Sequence, residues 1–262
     1  MKTLITFVVF FLYILSPMAN VIYVNISSVG SNNGSDWLNA FSDLQLALQT
    51  SEFGDTIWVA EGVYYPTISS DRNISFEIKD GLTVLGGFNG NELLVQERNW
   101  TINKTILSGD IGVIGTKNDN SFNVVYSNVT NYIELNGFEI IQGDARVDDM
   151  SEPFYGRRKN GAGCYIEGVS ASPNSYVKIL NCNFKYNASA FNAGSIFINS
   201  KGVFGIASII KNCEFEFNIS RGGGAIYIVI KGNSDLMSEI VDCNFYRNFG
   251  DFGGAISLQN YA

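Results

Sequence analysis

The stretch Cys182-Asn183-Phe184-Lys185-Tyr186-Asn187 decides the fold, because it returns as Cys213-Glu214-Phe215-Glu216-Phe217-Asn218 and as Cys243-Asn244-Phe245-Tyr246-Arg247-Asn248. A glycine-rich turn follows each copy and also repeats: Ala193-Gly194-Ser195-Ile196, Gly223-Gly224-Ala225-Ile226 and Gly253-Gly254-Ala255-Ile256. One unit of roughly 30 residues cannot bury an apolar face alone. The repeat therefore predicts a solenoid in which successive copies stack.

Short apolar or β-branched segments bounded by Gly, Asn or Asp predict strands through most of the chain. Coiling these strands in register gives an all-β fold, a right-handed parallel β-helix with neighbouring strands ~4.8 Å apart. The predicted organisation is a signal peptide over residues 1–19, a strand and a capping helix over 20–53, and the β-helix over 54–262.

The repeated residues acquire structural roles in such a fold. We expect Phe184, Phe215 and Phe245 to stack inside, where offset aromatic faces add to burial. We expect Asn187, Asn218 and Asn248 to form a ladder at a turn, because an amide can bond to neighbouring strands and tolerates left-handed backbone. Gly194, Gly224 and Gly254 would allow a tight bend before each strand.

The four cysteines favour buried free thiols over disulfides. Cys182, Cys213 and Cys243 occupy one phase of successive repeats, so their side chains should run parallel, whereas a disulfide needs converging Cβ vectors. Cys164 is expected at the phase of Ser195. No Cys-x-x-Cys pair and no His completes a tetrahedral site, so no metal and no cofactor is expected.

One amphipathic helix is predicted near the N-terminus. Trp37, Ala40, Phe41, Leu44, Ala47 and Leu48 follow one another at helical spacings, with Ser35 or Asp36 placed to cap them. Such a helix would cover the apolar end of the first repeat and its unpaired strand edge.

Composition narrows the function classes. The chain of 262 residues has a net charge of −8 and contains no His, so attraction to nucleic acid or to anionic lipid is not expected. The missing His also removes the commonest general base. At 46% apolar and 16% charged residues, with many glycines, the chain suits short strands joined by tight turns.

The N-terminus indicates export. Lys2 supplies a positive start, residues 4–15 are nearly all apolar, and Ala19 offers a small residue for cleavage. The alternative is a membrane anchor, but the apolar run is shorter than the ~20 residues that a spanning helix needs. We therefore expect a protein that does not span the membrane after signal removal and is secreted or displayed at the cell surface.

The paired Phe-x-x-Asn and Gly-Gly-Ala-Ile motifs resemble the polymorphic outer-membrane protein repeat of bacterial surface proteins. Residues 23–25, 36–48, 54–67, 86–88 and 105–110 are similar to the opening of secreted right-handed parallel β-helix repeat proteins. The resemblance covers most of the mature chain. It implies a cell-surface or secreted protein, outer membrane-associated if bacterial, that is adhesin-like; the wider β-helix class also includes polysaccharide lyases and hydrolases.

Catalytic chemistry would have to come from the long excursion over residues 143–160, which interrupts the regular repeats. A lyase needs carboxylates and a basic residue, and a hydrolase needs two carboxylates at a set separation. The candidates are Asp144, Asp148, Asp149, Glu152, Arg146 and Arg157. A charge-rich loop is more often simply solvated, so the excursion by itself does not indicate an enzyme.

Aromatic side chains beside the turns are candidates for stacking on sugar rings. They are Tyr64, Tyr65, Phe154 and Tyr155. Core packing is the competing role for each.

The functional hypothesis is an exported, non-enzymatic scaffold that binds extracellular carbohydrate or protein along its flank. The alternative is an extracellular polysaccharide lyase or glycoside hydrolase. The chain stops at Ala262 directly after a strand, which suggests a fragment or a short member. An open final strand would recruit other strands, so self-association through the C-terminal repeat is also expected.

Overall fold

The computed structural model describes residues 19–147, 151–231 and 237–261. The predicted signal peptide, apart from Ala19, lies outside these residues, and so do the candidate residues Asp148 and Asp149.

The described residues form short strands, one α-helix and three 3-10 turns. The helix α1 is Leu44–Thr50, and the 3-10 turns are Val95–Glu97, Lys117–Asp119 and Arg157–Lys159. The strands in chain order are β1 Val21–Val24, β2 Thr56–Ala60, β3 Gly62–Tyr64, β4 Phe76–Glu77, β5 Leu82–Phe88, β6 Thr105–Ser108, β7 Val125–Asn128, β8 Tyr132–Asn136, β9 Phe138–Ile141, β10 Asp144–Ala145, β11 Cys164–Gly168, β12 Tyr176–Leu180, β13 Asn183–Lys185, β14 Ala188–Ser189, β15 Ile196–Ser200, β16 Ala207–Lys211, β17 Glu214–Glu216, β18 Ile226–Lys231, β19 Ser238–Val241, β20 Asn244–Tyr246 and β21 Ile256–Tyr261.

Three parallel sheets contain all of these strands except β10 and β14, which pair with each other. Sheet 1 has the order β1-β2-β5-β8-β12-β16-β19, sheet 2 the order β3-β6-β9-β13-β17-β20, and sheet 3 the order β4-β7-β11-β15-β18-β21. From β2 onward the chain visits sheets 1, 2 and 3 in turn, and we call one such passage a rung. The all-β prediction is confirmed, and the stacked parallel sheets are compatible with a parallel β-helix.

The phenylalanines of the repeat stack in the core of sheet 2. Phe184 pairs in register with Phe215, and Phe215 with Phe245. The ring centroids are 5.1 and 4.9 Å apart, and the planes differ by only 6° and 5°. Neighbouring residues of each strand point outward, which is the alternation that a strand buried on one face requires.

The asparagines that close each repeat are bonded from rung to rung. The backbone N–H of Asn187 donates to Asn218 Oδ1 at 3.1 Å, and that of Asn218 donates to Asn248 Oδ1 at the same distance. Asn218 Nδ2 also donates to the carbonyl of Phe184 at 2.9 Å. The left-handed backbone expected at these asparagines lies one residue earlier, at Tyr186, Phe217 and Arg247. The asparagine side chains are hydrogen-bonded to the neighbouring strands instead.

Two glycines of the repeated turn, Gly194 and Gly224, are required by close approach rather than by a bend, whereas a Cβ atom at Gly254 would meet nothing within 4 Å. Gly194, Gly224 and Gly254 are absent from the residues with positive φ. A Cβ atom added at Gly194 would lie 2.7 Å from the carbonyl oxygens of Asn187 and Gly224. Neighbouring rungs therefore leave no room for a side chain at this position.

All four cysteines are free thiols. Cys182 and Cys213 are buried, and each thiol lies within hydrogen-bond distance of a strand carbonyl, such as that of Leu180 at 3.1 Å from Cys182 Sγ. Burial raises the pKa of Cys182 to about 11. The thiol therefore remains protonated and packs as a small apolar group.

The predicted phase of Cys164 is wrong by one residue. Cys164 pairs with Ile196 rather than with Ser195. This register places Cys164 and Ile166 in the core beside Ile196 and Ile198, whereas a slip of one residue would turn every side chain to the opposite face.

The helix prediction is correct in kind but too long. Helix α1 begins at Leu44 and is capped by Asp43, which accepts from Gln45 N at 2.8 Å. Asp36 instead closes a turn through Asn39 N, and Trp37 packs against Trp58 and Phe88, outside the helix. Tertiary packing of the Trp37 ring thus overrides the helical spacing.

The buried face of α1 joins the main core. Leu44, Ala47 and Leu48 are its buried residues, and the helix contacts β1, β2 and β4. In the described part of the chain, no helix has the length and apolar character needed to cross a membrane.

Candidate functional site

A turn that follows the strands of sheet 2 presents long side chains in strained backbone positions. Gln142, Tyr186, Phe217 and Arg247 occupy equivalent places after β9, β13, β17 and β20, with φ between 52° and 60°. Left-handed backbone is unfavourable for such residues, whereas Asn and Asp tolerate it. The turn between sheets 1 and 2 follows that preference, with Asn181, Asn212 and Asp242 at its left-handed positions.

Two of these residues form an exposed aromatic platform, which we define as Tyr186 and Phe217. Their ring centroids are 5.3 Å apart and their planes differ by 9°. Tyr186 is 58% exposed and Phe217 is half-buried. The two rings are stacked on neighbouring rungs, Phe217 is also contacted edge-on by Tyr246 at 5.7 Å, and the exposed Tyr186 ring presents an apolar surface on which a sugar ring can stack.

A cavity of about 350 Å³ lies against this platform and is polar on its other side; we call it the platform groove. Its remaining lining residues are Lys117, Asn120, Gln142, Gly143, Asp144, Arg146, Ala188 and Ile219. The wall thus combines aromatic rings with amide, carboxylate and guanidinium groups, which is the mixture typical of ligand pockets.

The short pairing of β10 with β14 positions Asp144 beside the platform. Asp144 pairs with Ala188, which directly follows the repeat asparagine Asn187, and its backbone N–H donates to Ser121 O at 2.9 Å. The Asp144 carboxylate accepts from Arg146 Nε at 2.9 Å and from a second N–H of the same guanidinium. This bidentate bond raises the pKa of Arg146 and holds both side chains at the rim of the groove.

Glu152 and Arg157 both line a second cavity of about 240 Å³, which we call the arginine cavity. It is also lined by Asn73, Phe122, Asn123 and Arg158. Glu152 Oε1 accepts from the backbone N–H of Arg158 at 3.3 Å, so this carboxylate supports the turn Arg157–Lys159. The candidate carboxylates Asp144 and Glu152 therefore line different cavities.

The predicted aromatic candidates lie elsewhere. Tyr64 is only 3% exposed, and its hydroxyl donates to Ala60 O at 3.1 Å, so its ring belongs to the core. Tyr65 lines a separate cleft beside β3 and is 37% exposed. Phe154 is exposed and contacts Tyr155 edge-on at 4.9 Å.

Tyr155 fastens the excursion to the outer face of sheet 3. Its ring lies 5.9 Å from that of Phe197, and its carbonyl accepts from the Tyr165 hydroxyl at 2.6 Å. Its own hydroxyl meets Gln259 Oε1 at 3.0 Å and the hydroxyl of Tyr261 at 2.6 Å. These contacts occupy Tyr155 within the fold.

Comparison of the chain with protein-family models, with curated proteins and with solved structures found no match.

The platform was not predicted from the sequence, although both of its residues belong to the repeat. The residue before each repeat asparagine is Tyr186, Phe217 or Arg247, so two of the three copies place an aromatic ring there. Counting inward and outward phases along the Cys-x-Phe-x-x-Asn motif would have put this position outside the core.

Among the described residues, no three Cys, Asp or Glu side chains cluster in a way that could hold a metal ion. The platform groove has the rings of Tyr186 and Phe217 on one side and hydrogen-bonding side chains on the other.

Proposed function

We propose that this chain is a right-handed parallel β-helix of the polymorphic outer-membrane protein type, exported to the cell surface, where it binds carbohydrate through the platform groove. The observation that carries the proposal is the stacked pair of the exposed Tyr186 and the half-buried Phe217, both at left-handed positions beside the groove. Strained backbone tends to be retained where function uses it.

The polar rim supports a sugar ligand in particular. A sugar ring has an apolar face and a perimeter of hydroxyl groups, and the groove opposes these with aromatic rings and with the Asp144–Arg146 pair. Asn120 Nδ2 donates to Gln142 O at 2.7 Å, which fixes this amide in the wall of the groove.

Titration calorimetry with neutral gluco-, manno- and galacto-oligosaccharides tests the proposal. Tyr186→Ala and Phe217→Ala should each weaken the affinity about tenfold, which corresponds to about 1.4 kcal/mol of lost stacking. Tyr176→Ala is the matched control, because Tyr176 stacks on Tyr132 at 5.4 Å on the outside of sheet 1, away from the groove. Equal affinities for all three variants and the parent would refute the proposed site.

The alternative function is hydrolysis or elimination on an extracellular polysaccharide. One observation favours it: Glu152 and Arg157 line the same cavity. Incubation with uronic-acid and neutral glycans, followed by assays for new reducing ends or unsaturated products, separates the two functions. Sustained turnover that Glu152→Gln abolishes would replace the binding proposal.

A further inference from the structure

The arginine cavity contains a fixed and half-buried positive charge. The guanidinium of Arg157 lies 3.8 Å above the ring of Tyr126 and donates to Ser75 Oγ at 3.0 Å and to Asn123 Oδ1 at 3.4 Å. The aromatic face and the two neutral oxygens hold the group in one orientation. The other N–H groups of Arg157 have no partner among the described residues and remain available to a ligand.

The carboxylates of Glu77 and Glu167 act on the charge of Arg157, but neither forms an ion pair with it. Within residues 19–147, 151–231 and 237–261, neither Arg157 nor Arg72 forms an ion pair. Burial lowers the pKa of both guanidinium groups, and nearby acidic groups, Glu77 for Arg157 and Asp144 for Arg72, offset part of this shift. A half-buried cation without a directly bonded counterion is costly for the folded chain, and a bound anion would offset part of that cost.

Two further arginines reinforce the positive potential at the cavity. Arg72 and Arg158 lie over the ring of Phe122, at 4.2 and 5.1 Å from its centroid. Glu152 is the acidic lining residue, and its carboxylate is 3.9 Å from Arg158. A local excess of arginine is notable in a chain whose net charge is −8.

Arg72 joins this cavity to the platform groove. Its Nε donates to Asn120 O and its Nη2 donates to Asp144 O, both at 2.7 Å, and both acceptor residues line the platform groove. The same guanidinium covers Phe122 in the arginine cavity. The Arg72 side chain therefore lies between the two cavities, and an elongated ligand that extends over it would reach both.

We propose that the arginine cavity binds the carboxylate of an acidic sugar within a glycan whose neighbouring sugar ring stacks on the platform. The inference rests on the proposed function and deepens it by naming a uronate-containing ligand. Arg157 would meet the carboxylate in the bidentate geometry that guanidinium groups favour. The net negative charge of the chain disfavours long polyanions with closely spaced charges, such as nucleic acid.

The test compares an oligoglucuronate with its methyl ester, which has the same rings but no charge. The parent protein should bind the acid about tenfold more tightly than the ester. Arg157→Gln should abolish this preference and leave the affinity for the ester unchanged, whereas Tyr186→Ala should weaken both ligands alike. Arg221→Gln is the matched control, because Arg221 is an exposed arginine of the outer wall that lines neither cavity.

Each outcome bears on a different part of the inference. A preference for the acid that persists in Arg157→Gln, or an equal loss for both ligands, overturns the arginine cavity as the carboxylate site. If Arg157→Gln loses the preference for the acid but Tyr186→Ala binds both ligands as the parent does, the arginine cavity is supported as the carboxylate site. The same result refutes the platform as the sugar-stacking site. Sodium glucuronate or sulfate that competes as strongly as the oligosaccharide would reduce the site to a general anion site. If Arg157→Gln does not fold, Arg158→Gln takes its place, with an expected partial loss of the preference.

Discussion

Replacement of Phe215 by Ala tests whether the stacked phenylalanines hold the rungs together. Phe215 is fully buried and lies between Phe184 at 5.1 Å and Phe245 at 4.9 Å, with nearly parallel planes. A buried Phe→Ala change costs about 3–5 kcal/mol through lost transfer energy and the cavity left behind. Because two aromatic contacts are lost as well, each worth about 0.5–1.5 kcal/mol, we expect a value near the upper end.

Urea unfolding followed by circular dichroism measures this loss, and the midpoint should fall by roughly 1–2 M. Phe217→Ala is the matched control, because the same side chain is removed two residues later from the outer surface; its cost should be only about 1–2 kcal/mol, from its contacts with Tyr186 and Tyr246. Arg247, an exposed residue after β20, should cost less than about 0.5 kcal/mol when replaced by Ala.

Equal losses for Phe215→Ala and Phe217→Ala would refute the reasoning. Such a result would mean that burial inside the stack does not distinguish the inward from the outward phase of the repeat.

Two further predictions concern buried polar groups. Asn218→Ala should destabilise the chain by about 2–5 kcal/mol in the same urea assay, because it leaves the carbonyl of Phe184 and the N–H of Asn187 without their bonds; a loss below 1 kcal/mol would show that the ladder is dispensable. Burial raises the pKa of Tyr64 to about 12 from an ordinary value of 10, so its contribution to stability should be complete below pH 10 and lost as the pH rises toward 12. Tyr64→Phe should flatten that part of the stability curve, and an unchanged slope between pH 10 and 12 would contradict the assignment.

Local sequence patterns predict one part of the candidate site and not the other. The platform residues Tyr186 and Phe217 belong to the repeat, so their outward phase follows from the motif once the inward phenylalanines are recognised. The arginine cavity has no such signal. Arg157 and Ser75 are 82 residues apart in the chain, and the overall charge of −8 conceals the local excess of arginine.

The sequence by itself determined the repeating part of this protein. Phe184, Phe215 and Phe245 recur 31 and 30 residues apart. A nearly constant spacing in a stacked chain places like residues in register, because each strand pairs with its counterpart in the next repeat. Tertiary structure alone decided the parts without a repeat. The start of α1 at Leu44, the register of Cys164 and the place of the excursion each depend on contacts between residues that are distant in sequence, and no local pattern encodes those contacts.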